Sequence, residues 1–140
     1  MRENKFRVYY EYEIDGEIHK GIESEASWFL LTQSGELLQH GPLNPLRDCK
    51  EYKKLIPLFY TGLKDSKGVE IYEGDIVRFW IDNIEEVSEV FFECGCFSVK
   101  TKNTDPYYHP CLGVVEFVEI IGNIWENGGL LNATNKTETD

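Results

Sequence analysis

The chain has 140 residues, 41% of them hydrophobic and 14% aromatic, and a formal net charge of −11. That length holds one core or two small subdomains, and the composition is that of a globular protein. No run of about 18 apolar residues occurs, which excludes a membrane-spanning helix. Charge is unevenly placed: residues 1–56 carry 8 Lys/Arg against 10 Asp/Glu, whereas residues 57–140 carry 6 against 15. Binding a phosphate backbone needs clustered cations, so the acidic second half argues against nucleic acid as a partner. Met1-Arg2-Glu3-Asn4-Lys5 leads into no apolar signal region. The expectation is a protein of the cytoplasm, with Cys49, Cys94, Cys96 and Cys111 reduced.

Residues 6–14 alternate with period two, Phe6, Val8, Tyr10, Tyr12 and Ile14 on one face and Arg7, Glu11 and Glu13 on the other. Asp15-Gly16 tolerates the two positive φ angles of a type I′ turn, so a hairpin returning through Glu17–Ile22 is predicted. A second hairpin about Ser34-Gly35 joins Trp28–Gln33 to Glu36–His40; paired leucines blur its alternation, and a partly buried strand or a short helix competes. Asn44-Pro45 reads as an N-cap with proline at the first helical position. Leu46, Cys49, Tyr52 or Lys53, and Ile56 recur at helical spacing, and Pro57 closes the predicted helix.

From Leu58 the pattern is β. Leu58–Thr61 is a strand, Lys64–Gly68 a polar turn, and Glu73-Gly74-Asp75 a tight turn into Ile76–Ile81. Val87–Glu93 and Cys96–Lys100 form a hairpin across Cys94-Gly95. Leu112–Ile121, rich in β-branched residues, is expected to lie centrally, with Gly113 and Gly122 at bends or bulges. The fold class is therefore mainly β: a small SH3-like barrel or sandwich over residues 57–131, preceded by a hairpin region with one short helix over 1–56. Residues 132–140 are polar and expected to be disordered.

The segment Tyr60-Thr61-Gly62-Leu63-Lys64-Asp65-Ser66-Lys67-Gly68-Val69-Glu70-Ile71-Tyr72-Glu73-Gly74-Asp75-Ile76-Val77 resembles the signature of the YopX family, small proteins carried by bacteriophages and prophages. Met1–Arg7 is similar to that family's opening, Phe91–Lys100 to its later hairpin and Ile120–Asn127 to its closing motif. Phe59 and Gly128-Gly129 depart from the pattern. The resemblance implies a phage setting in a bacterial host, and it brings no catalytic or binding residue to carry over. Gly62, Gly68 and Gly74 within the signature are expected to be backbone requirements.

Candidate chemistry is sparse. Cys94, Cys96, His109 and Cys111 have the residue types of a Cys₃His zinc site, but one spacer residue separates the first pair where structural zinc usually has two. Cysteines packed as small hydrophobes are the simpler account. Glu70, Glu73, Asp75, Asp82, Glu85, Glu86 and Glu89 carry no EF-hand spacing and read as a solvated acidic face. His19, His40 and His109 stand in no nucleophile motif apart from the nearness of His109 to Cys111. No residues are assigned to catalysis, cofactor or metal. The expectation is a non-enzymatic accessory protein acting as a homo-oligomer, since sheet edges must be covered and aromatics suit interfaces. The alternative is an acidic inhibitor that mimics nucleic acid toward a basic host protein.

Overall fold

A computed structural model describes residues 5–24, 29–35, 37–39 and 52–131. The protein is mainly β, its sheets curled in the manner of a half-barrel. The chain divides into two compact units, one formed by Asn4–Phe59 and the other chiefly by Tyr60–Asp140. No helix among the described residues is long and apolar enough to cross a membrane.

In the first unit, β1 (Phe6–Ile14) and β2 (Glu17–Glu23) pair antiparallel from Val8↔Glu23 to Ile14↔Glu17. Asp15 and Gly16 close this hairpin with φ of 51° and 83°, the two left-handed residues of a type I′ turn. Val8 is fully buried and shares a core with Phe29 and Leu37, against which Phe6, Tyr52 and Leu55 pack. Tyr9 lies on the opposite face, among the residues read as polar, yet only 3% of it is exposed. Burial pushes its phenol up to about 12, and the hydrogen bond to Glu11 and that carboxylate's charge push the same way. The competing helix at residues 28–40 does not form in the described part: β3 (Phe29–Leu31) pairs with β4 (Leu37–Gln39).

The predicted helix over 44–56 is corrected where it can be checked. Residues 44–51 lie outside the described set, but Tyr52–Ile56 open β5 (Tyr52–Lys64), a strand paired with β1. The error has a geometric source. Val8, Tyr10 and Tyr12 share one face of β1 and oppose Pro57, Leu55 and Tyr52, with a register shift between Glu11 and Tyr12. A bulge adds one residue to a strand, so same-face residues there stand three apart instead of two. Tyr52 and Leu55 therefore carry helical spacing while sitting on one side of a sheet. Pro57 does not break the strand, since among the described residues 52–59 pair only with β1.

The second unit begins with the end of β5 and continues through β6 (Glu70–Tyr72), β7 (Asp75–Ile81), β8 (Ile84–Glu89), β9 (Phe91–Glu93), β10 (Cys96–Ser98) and β11 (Glu116–Asn123). Its core is Ile71, Val77, Phe79, Val90, Val99 and Leu112. The central strand is β7, between β11 and β8, which corrects the placing of Leu112–Ile121. Leu112–Val114 is a 3-10 turn, and β11 takes an edge. The fully buried Ile76, Val77 and Phe79 explain why β7 holds the middle, whereas no residue of β11 is fully buried.

The hairpin across Cys94-Gly95 forms as expected, with φ of 51° and 85° at its turn. Its first strand is shorter than predicted because the backbone of Val90 leaves β8 to bond the β6–β7 turn, Gly74 N–H to Val90 O and Val90 N–H to Asp75 O, both 2.8 Å. A further left-handed pair, Asp82 and Asn83 with φ of 51° and 64°, turns β7 into β8. Gly122 lies beside a register shift in β11, in keeping with its reading as a bulge position. After β11 comes a short helix that the pattern did not reveal, α1 (Ile124–Asn127). Asn123 caps it, its side-chain oxygen accepting from the N–H groups of Trp125 and Glu126 at 3.0 and 2.9 Å.

Candidate functional site

The signature segment occupies the two turns that flank β6, and its polar atoms are turned to backbone. The Thr61 hydroxyl donates to Ile71 O at 2.8 Å and accepts from Leu63 N–H at 3.1 Å. Between them Gly62 adopts φ +86° at a bulge in β5. Asp65, 8% exposed, accepts from Lys67 and Val69 N–H, each at 2.9 Å, and from Ile120 N–H of β11 at 3.1 Å. Burial alone would raise its carboxyl, but those N–H groups and the Lys67 charge outweigh it and hold the carboxyl below the usual aspartate range. Asp75, 5% exposed, accepts from Tyr72 N–H at 2.8 Å.

The signature glycines serve the backbone as expected. Gly62, Gly68 and Gly74 have φ of +86°, +83° and +89°. At Gly74 a second constraint acts, because an added Cβ would stand 2.8 Å from the Trp125 indole nitrogen. The rings of Tyr60 and Tyr72 meet across the strands at 5.4 Å. This segment is a scaffold of turns locked by side chains.

The acidic set does not gather into one solvated face. Glu86 is 1% exposed and receives the N–H groups of Lys102, Asn103 and Thr104 at 2.9–3.1 Å, plus the Thr104 hydroxyl at 3.1 Å. It fastens the loop after β10. Asp75 is likewise internal, and Glu85 pairs with Arg78 at 3.0 Å. Among the described residues, no group of three His, Cys, Asp or Glu is placed to hold a metal ion.

The cysteines differ from both expectations. An antiparallel bridge between Ser98 and Cys111, with Val99 N–H donating to Pro110 O, lays the segment before the 3-10 turn beside β10. Cys96 and Cys111 are joined there as a disulfide, so neither is a reduced thiol. Nor do the three pack as core hydrophobes: Cys94 and Cys111 are exposed and Cys96 half-buried. His109 faces Glu93, Nδ1 to Oε2 at 2.8 Å. His19 stacks on Tyr12 at 5.2 Å. Cys49 and His40 lie outside the described residues.

The disulfide forms part of the wall of a groove of about 260 Å³ lined by Thr61, Leu63, Phe92, Phe97 and Gly113. Leu63 is 40% and Phe92 55% exposed, and Val114 beside Gly113 is 63% exposed. Phe117 in β11 is 73% exposed and has φ of +53°. A bulky aromatic in the left-handed region is a true outlier. Neither the groove nor this strained residue was readable from composition or periodicity.

A mainly β scaffold organised around two side-chain-locked turns is thus the class of protein these observations define. The chain belongs to the YopX family: the model for YopX protein matches residues 5–132, nearly its whole length. A comparison with curated proteins finds no match.

Proposed function

We propose that the protein works without catalysis, as a phage or prophage accessory factor that self-associates through apolar surface of its second unit. The observation that carries this reading is Phe117, held at φ +53° with 73% of its surface exposed. Left-handed backbone costs an L-residue about 1–2 kcal/mol. Strain of this kind persists only where surrounding structure over-determines it, and it concentrates at functional surfaces. Leu63, Phe92 and Val114 add exposed apolar area on the same unit. The rival reading, an acidic mimic of nucleic acid, draws less support. Asp65, Asp75 and Glu86 are spent internally, and Glu85, Glu93 and Glu119 already face Arg78, His109 and Lys67.

The test is light scattering of the full chain behind size exclusion, beside Phe117→Asn, since asparagine tolerates φ near +53° without the ring. The parent is expected to elute as a closed oligomer and the variant to dissociate at higher concentration while melting no lower. A monomeric parent that captures a basic host protein only at low salt would replace this reading with the rival.

A further inference from the structure

Two of the three described cysteines flank Gly95 at the β9–β10 turn, and the third is bonded to one of them. Cys96 is half-buried and bonded to Cys111, while Cys94, a free thiol, stands two positions earlier, across Gly95, on an exposed turn. Two backbone steps span at most about 7 Å even when extended, and a turn shortens them. That falls within reach of the roughly 4.4–6.8 Å Cα separation of disulfides. The turn itself, left-handed at Cys94 and at Gly95, leaves the Cys94 side chain exposed. On the other side, Cys111 is also exposed, and both bonded cysteines line the solvent-open groove.

We propose that Cys94, Cys96 and Cys111 form a thiol–disulfide exchange site that moves one free thiol between two exposed positions. The Cys94 thiolate attacks Cys96 Sγ, the Cys94–Cys96 bond forms, and the Cys96–Cys111 bond breaks. The electron pair leaves on Cys111 Sγ, which takes up the proton that Cys94 gave to solvent. No oxidant or reductant is consumed, so the redox state of the chain is unchanged. The Cys111 thiol released beside the groove then reacts with small disulfides. Its thiolate attacks one sulfur of such a molecule, forming a mixed disulfide at Cys111 and releasing the other half as thiolate. Leu63, Phe92 and Phe97 flank that position with apolar surface. Leu63 and Phe92 also belong to the apolar surface proposed for self-association, so Cys111 modification is read on the dissociated Phe117→Asn chain as well as on the parent.

Purified full-length protein, kept free of reductant, is incubated at pH 6 and pH 8, trapped with N-ethylmaleimide and mapped by peptide mass spectrometry. The expected result is alkylation divided between Cys94 and Cys111, with matching Cys94–Cys96 and Cys96–Cys111 peptides. Approach to that distribution is faster at pH 8, because thiolate is the attacking form. In Cys94→Ser, Cys111 alkylation falls to background while melting is unchanged, since the substituted side chain is exposed. Glutathione disulfide as a probe should modify both Cys94 and Cys111 in the parent, and neither in the variant. Alkylation and glutathionylation confined to Cys94 at both pH values would overturn the proposal. So would Cys111 labelling that persists in Cys94→Ser, or a parent whose Cys96 is alkylated along with the other two.

Discussion

The two units solve the problem of fixing a β chain in different ways. The first relies on tight hairpin turns, a small core of Val8, Phe29 and Leu37, and an aromatic cluster of Tyr10, Tyr12 and Tyr52 whose rings lie 5.8–6.2 Å apart. Two of its ion pairs, Lys53 with Glu13 and Lys54 with Glu11, join partly exposed side chains. The second unit has a larger core and, in addition, three buried carboxylates that hold loops by their N–H groups. A buried carboxylate is stabilising only while its partners remain, which makes the second unit the more vulnerable to single polar substitutions. In the first unit charge is an accessory.

The sharpest way to break that contrast is Glu86→Ala. It leaves the N–H groups of Lys102, Asn103 and Thr104 without their acceptor, and a loss of about 3–4 kcal/mol is expected in denaturant titration. Glu86→Gln keeps one acceptor oxygen and should lose roughly half as much. Asp65→Asn comes next, at about 2–3 kcal/mol, and it carries a pH signature. Because the folded carboxyl is held below its ordinary value, its contribution is present at neutral pH and is lost as pH falls below about 4. Melting temperature followed from pH 7 to pH 3 should drop more steeply in the parent than in the variant. Parallel curves would mean that Asp65 is not the acid-sensitive lock.

Gly74→Ala is expected to cost about 2 kcal/mol, from left-handed backbone together with displacement of the Trp125 indole, and tryptophan fluorescence should shift with it. At the bottom of the order, Lys53→Ala should change stability by less than about 0.5 kcal/mol, the usual worth of an exposed pair. A loss there rivalling that of Glu86→Ala would erase the distinction between the units.

How much of this was legible in the sequence follows from how local each cause is. Asp15-Gly16, Lys64–Gly68, Glu73-Gly74-Asp75 and Cys94-Gly95 announce their turns, because left-handed backbone is a property of the residue that adopts it. The hairpins came with them. Tyr52–Ile56 misled because a bulged strand and a helix can show the same spacing, and only the partner strand tells them apart. The helix start at Asn123 was available as an asparagine three residues before Glu126, a capping pattern that the β-rich run before it obscured. Glu86 could not be recognised among its acidic neighbours. What makes it internal is a loop 16–18 residues away, and nothing in its own neighbourhood encodes that. The same holds for Cys96 and Cys111, which meet only because β10 and the segment before the 3-10 turn lie side by side.

Asp65 also bears on the order in which the chain can acquire its shape. Two of its acceptor contacts are to residues within four positions, but the third is to Ile120, and the neighbouring Ser66 N–H donates to Val118 O. The signature turn therefore looks self-contained in sequence yet is completed by the last strand. Contacts of such long separation form late, because the intervening loop must close before they are rewarded. During synthesis, which adds roughly 5–20 residues each second, the second unit would wait several seconds after its signature has emerged for β11 to arrive. Nascent chains ending before Val118 should keep that turn open to proteases, and chains a few residues longer than β11 should close it in one step.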